Sequence, residues 1–82
     1  MTAEERILDA GYEDVLIMPD YDAALIGVTT DNRAVYDYYK MVECLIGNDG
    51  FTWDEAVEWI DYNTIRALPY AGESAPIIIY RV

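Results

Sequence analysis

The side chains of this chain that could do chemistry are carboxylates and a single thiol. Asp54, Glu58 and Asp61 fall at i, i+4 and i+7, with Glu55 beside them. On a helix that spacing sets successive acids roughly 5–6 Å apart along the axis, on one face. Paired carboxylates can do acid–base work, and they also make an anionic contact surface. Asp20-Tyr21-Asp22 has the D-x-D form that can hold a divalent cation, but the glycine and terminal glutamate of a calcium loop are missing. Pro19 in front of it makes a turn the better account. Cys44 has no histidine anywhere in the chain to activate it, so a packed thiol is expected. Zinc spacings, phosphate loops and the G-x-S-x-G elbow are absent as well. The expectation is a protein that is not an enzyme, with no catalytic, cofactor-binding or metal-binding residue.

The elements that must position the acids follow from caps and periodicity. Thr2 and Glu5 form a capping box ahead of a short helix that Gly11 ends. Residues 13–18 and 23–29 are rich in valine, isoleucine and leucine and flank the Pro19-Asp20-Tyr21-Asp22 turn. A second turn, Thr30 to Arg33, leads to a brief strand at 34–36. Together these predict a three-stranded antiparallel meander. From Asp37, a natural N-cap, Tyr38, Met41, Val42 and Leu45 mark one helical face, and Asn48-Asp49-Gly50 stops it. Thr52 and Glu55 form a second capping box. The helix they start is expected to run to Ala67 or Leu68, stopped by Pro69. Residues 76–82 close the chain as a strand. The predicted class is α+β in the order αβββααβ, one domain over residues 1–82 with a small antiparallel sheet and helices packed on one face.

On the helix after Thr52, the positions Trp53, Ala56, Val57, Ile60, Thr64, Ala67 and Leu68 have buried-face spacing. Trp59 and Tyr62 sit beside that stripe, next to the acids. No lysine or arginine offsets the carboxylates before Arg66, and like charges at i, i+4 cost a few tenths of a kcal/mol per pair. Aromatic residues at a charged rim are what protein interfaces enrich. The candidate partner-binding residues are therefore Asp54, Glu55, Glu58, Trp59, Asp61 and Tyr62. Further on, Asn63, Thr64, Arg66, Pro69 and Tyr70 form a polar group read as the helix end, the alternative being a small binding patch with Tyr70. Arg66 is placed to pair with Asp61 or Glu55, or to tie down the following loop.

Charge bounds the function classes. Sixteen acids against five bases give −11, spread over both halves of the 82 residues. With 54% hydrophobic residues the chain has the material for a core and is not a disordered acidic tail. Such a domain repels nucleic-acid phosphates and anionic membranes and attracts basic protein surfaces. The longest apolar run, residues 75–80, is of strand length, the N-terminus lacks a signal region, and a lone cysteine suits a reducing compartment. A cytoplasmic location is expected.

The segment from residue 35 to 80, "VYDYYKMVECLI…GFTWDEAVEWIDYNTIRALPYAGESAPIIIY", resembles small acidic proteins of unknown function encoded in gut bacterial genomes and their prophages. Its most specific part is "EAVEWIDYNTIRALPY". No activity and no residue role transfers with it. By size and charge the chain is also similar to the acidic inhibitors that mobile elements use against restriction or CRISPR nucleases. That likeness implies a DNA mimic: sixteen carboxylates match roughly 27 Å of duplex at about one charge per 1.7 Å. The leading expectation is an acidic module binding a basic protein surface, with no direct nucleic-acid or membrane contact. The alternatives are a small cytoplasmic adaptor or structural protein whose charge serves solubility, and a homodimer joined through an edge strand at 76–82 or 34–36.

Overall fold

In the computed structural model, which describes residues 2–82, the caps read from the sequence form where they were expected. Helix α1 (Ala3–Asp9) starts at Thr2, whose hydroxyl accepts from the Glu5 N–H while the Glu5 carboxylate accepts from the Thr2 N–H. Helix α2 (Tyr38–Asp49) is capped by Asp37 and ends at Gly50, whose φ of 69° is the left-handed turn glycine adopts freely. Helix α3 (Trp53–Trp59) starts with the Thr52/Glu55 box. Tyr38, Met41, Val42 and Leu45 are all buried, as their spacing required.

The sheet has three strands in the order β1 (Leu25–Val28), β2 (Ala34–Asp37), β3 (Ile77–Ile79). β1 and β2 are antiparallel with a bulge at Ile26, between the pairs Leu25–Tyr36 and Gly27–Val35. β2 and β3 are parallel, Tyr36 opposite Ile78. The class is α+β, but the sheet is mixed, not the antiparallel one expected. The reason is the connection: α2, α3 and the helical run after them intervene between β2 and β3, and a long crossover returns the chain to the same end of the sheet. The pairing also makes β2 central, so the strand at 34–36 is no edge for a second copy. β1 and β3 are the edges.

Segment 13–18 is not a strand. Its burial does alternate, with Val15 and Ile17 packed on the core and Leu16 45% exposed. Asp14, at φ 58°, turns the backbone as it enters. Its ladder partner is replaced by a side chain: the Met18 N–H donates to the hydroxyl of fully buried Tyr36 at 2.8 Å. Residues Pro19–Ala24 then form 3-10 turns, where a strand start at 23 was expected. α2 packs on these turns and on α3.

The helix after Thr52 does not stay regular to Leu68. α3 passes into a π segment, Ile60–Thr64, and then a 3-10 run, Ile65–Ser74, broken at Gly72. Pro69 lies inside that run, not at its end. The widened turn has a packing consequence. The Ile65 N–H donates to the Ile60 carbonyl five residues back, and both isoleucines reach the core. A regular helix would have presented Thr64 there.

Asp37 is the sole buried charged side chain among the described residues. It accepts from the Tyr39 and Lys40 N–H groups at 2.9 and 3.3 Å and faces Arg81 at 3.7 Å. Thr52, by contrast, caps from an exposed position. Thr52→Ala is expected to cost about 0.5–2 kcal/mol in urea melts. Asp37→Ala is expected to cost more, because the same change empties a buried site and leaves two part-buried N–H groups without their acceptor. Equal losses for the two would show that the Asp37 carboxylate does no more than an exposed cap.

Candidate functional site

The predicted partner-binding residues divide. Glu55, Glu58, Trp59 and Tyr62 line one shallow depression of about 310 Å³ together with Phe51 and Asn63. Phe51 supports it from below, its ring 5.7 Å from that of Trp59. Trp59 is 47% exposed and Tyr62 57% exposed, so both stand at the rim as their spacing implied. Asp61 turns the other way, to the Tyr38 hydroxyl, a weak contact at 3.5 Å. Asp54 is exposed but lines neither the depression nor its neighbours.

Glu55 has two duties. Its carboxylate closes the capping box, accepting from the Thr52 N–H at 2.9 Å, and that bond holds its carboxyl below the ordinary glutamate range. The group remains at the surface and anionic. Arg66 takes neither carboxylate predicted for it. Its guanidinium lies 4.6 Å over the Tyr62 ring, a cation–π geometry. The rest of the polar group after Asp61 disperses as well. The Asn63 amide donates to the Trp59 carbonyl at 3.3 Å, Thr64 meets the Tyr21 hydroxyl at 3.0 Å, and Tyr70 is almost wholly exposed.

Two features were missed in the sequence. Trp53 was expected in the core, yet it is 49% exposed. At the first position of α3 it stacks on Tyr39, rings 6.4 Å apart and 20° from parallel, and Tyr39 in turn meets Tyr80 and Tyr38 edge-on. Alanine at position 56 fills the core side of that turn instead. Ala67 is exposed too, displaced by the π turn. The second feature is an apolar groove of about 430 Å³ between segment 16–21 and the helical stretch from Trp59 to Ala71. It shares Trp59 and Asn63 with the acidic depression. The sequence signal for it was Trp59, an indole off the buried stripe.

Cys44 and the two aspartates of the D-x-D turn come together in a third depression, with Lys40 and Glu43. Burial pushes the Cys44 thiol up, the opposite of what a nucleophile needs. No group of three or more potential metal ligands converges among the described residues. No described helix is long and apolar enough to cross a membrane. Comparison with protein-family models, curated proteins and solved structures gives no match.

What the site offers is therefore half-exposed indole and phenol among carboxylates. Both tryptophans stand near acids that attract cations. Caesium is expected to quench their fluorescence more strongly than iodide, and equal quenching would show that the acidic potential does not reach the rings. Repulsion across the domain is also expected to make added salt raise the melting temperature between about 0.01 and 0.15 M. Below pH 4.5 stability is expected to fall. The Glu5 and Glu55 carboxyls sit below their ordinary 4.5 in the folded state, so their capping contribution is present above that value and lost as pH falls through the folded pKa values. A melting temperature indifferent to salt would mean that the acids are paired off.

Proposed function

We propose that this chain is a non-enzymatic, acidic protein-binding module of the cytoplasm that engages a basic surface on a nucleic-acid-binding protein, in place of the nucleic acid. The observation that carries the reading is how the four arginines are used. Arg6 donates to the carbonyls of Asp22 and Leu25 at 3.1 and 3.0 Å. Arg33 donates to the Ala75 carbonyl at 2.8 Å. Arg66 stacks on Tyr62, and Arg81 faces the buried Asp37. Three of these arginines tie backbone carbonyls or the one buried carboxylate, and the fourth covers a ring. None of them forms an ion pair with an exposed acid among the described residues. All the acids except buried Asp37 and half-buried Asp22 are exposed, and the Arg81–Asp37 contact is the one ion pair among the described residues.

A solubilising coat would tolerate, and usually has, mixed signs. Here the exposed acids have no ion-pair partner among the described residues, and those on α3 stand next to aromatic rims of the kind that anchor interfaces. The longest extent of the molecule, 36 Å, is about that of one turn of B-DNA, which suits a decoy for a duplex-binding channel. The finer reading is an inhibitor carried by a mobile element against a host restriction or CRISPR nuclease. The edge strand β3 favours a second reading, a homodimer. Two copies at −11 each repel, and the strand has three residues, so the isolated protein is expected to sediment as a monomer.

The test is capture from a bacterial lysate with salt-stepped elution and duplex DNA as competitor. Basic nucleic-acid-binding proteins should be retained, released by salt and displaced by the duplex. A quadruple variant, Asp54→Asn, Glu55→Gln, Glu58→Gln and Asp61→Asn, keeps the cap's acceptor oxygen and should fold normally. It should lose capture mostly through slower association. Unchanged capture by this variant at every salt concentration would refute the decoy reading.

A further inference from the structure

We infer that the groove beside Trp59 is the docking site for a basic amphipathic helix of the partner. The inference rests on the acidic-module reading and names the form its partner takes. One wall of the groove is Leu16, Met18 and Tyr21; the other is Trp59, Ala67 and Leu68. Its volume of about 430 Å³ lies within the roughly 300–1,000 Å³ of ligand-holding clefts and has room for a few aliphatic side chains. The groove is open to solvent, as a bound segment of chain requires and an enclosed small ligand does not.

Charge selects the occupant. The one charged residue lining the groove is Asp20, and the charged residues lining the adjoining depression are Glu55 and Glu58. Trp59 and Asn63 belong to both, so an apolar trough runs beside an anionic shelf. A segment with apolar side chains on one face and lysine or arginine beside them matches the pair. A second copy of this chain does not, since its surface carries the same sign. Backbone chemistry selects the conformation. No residue of β1, β2 or β3 lines the groove, so it offers no ladder to an extended peptide. A helix satisfies its own backbone and needs only side-chain contact. The π segment supplies the geometry: the extra residue in that turn brings Ile65 to the core and leaves Asn63, Thr64 and Ala67 at the groove. Such turns often mark functional positions.

The experiment uses a Trp53→Phe background, so that Trp59 alone reports by fluorescence. The probe is a short peptide of leucine and lysine with leucines at helical spacing. Its controls are a peptide of the same composition with leucine and lysine alternating, and one with glutamate in place of lysine. The helical basic peptide is expected to bind at least about tenfold more tightly than either control and to shift Trp59 emission to the blue. Leu16→Gln with Ala67→Gln, both at exposed positions, should weaken it about tenfold with the salt dependence kept. Glu55→Gln with Glu58→Gln should weaken it and flatten that dependence. If both basic peptides bind equally and the glutamines at 16 and 67 change nothing, the groove proposal is overturned while the acidic surface stands. Preference for the alternating peptide overturns it in favour of an open strand edge. Failure of every basic peptide to bind overturns the groove and the acidic-module reading together.

Discussion

The carboxylate of Asp37 is where the central strand, the longest helix and the chain end meet. It ends β2, it accepts from the first free N–H groups of α2, and it draws Arg81 in from beyond β3. A buried carboxylate is costly unless its oxygens find partners. Helix α2 provides two N–H groups to one oxygen and the chain end brings Arg81 to the other, so the placement of β2, α2 and the chain end is coupled. Tyr36, one residue earlier and fully buried, extends the same control to the irregular segment through its bond to the Met18 N–H. A four-residue strand thus organises a chain whose regular structure is otherwise short.

The scarcity of positive charge follows from that architecture. Irregular segments leave carbonyls without ladder partners, and buried carbonyls must be satisfied. Arg6 and Arg33 are drawn into that role, and Arg81 into pairing with Asp37. None of these three arginines pairs with an exposed acid among the described residues. The domain carries self-repulsion as a consequence, which is tolerable for a core built on Tyr36, Met41, Val42 and Ile60. A partner that supplies the missing positive charge would relieve it. In that sense the fold and the proposed function draw on the same imbalance.

The aromatic residues divide along the same lines. Tyr21, Tyr36 and Tyr38 are inside, their hydroxyls met by Thr64, the Met18 N–H and Asp61. Tyr39, Trp53, Trp59, Tyr62 and Tyr80 are partly outside. Rings half in contact with the fold are already restrained, so an interface that covers them loses little further side-chain freedom. The Trp59 end is where such rings, an apolar groove and unpaired carboxylates coincide.

The sequence by itself determined what is local. Both capping boxes, the Asp37 cap, the glycine stop at 50 and the buried face of α2 are set by neighbours within one helical turn. So is the outward position of Trp59 and Tyr62 relative to the stripe at Ala56 and Ile60. Tertiary structure decided the rest. That β3 runs parallel to β2 depends on where a helical crossover delivers the chain, which no strand pattern encodes. That segment 13–18 forgoes a ladder depends on a tyrosine hydroxyl 18 residues away. Above all, the π turn at Ile60–Thr64 trades regular hydrogen bonding for the burial of Ile65. Helical periodicity assumes a constant turn, so it could place the acids up to Glu58 but not the groove beyond Trp59. There the core chose the register, and the surface took what remained.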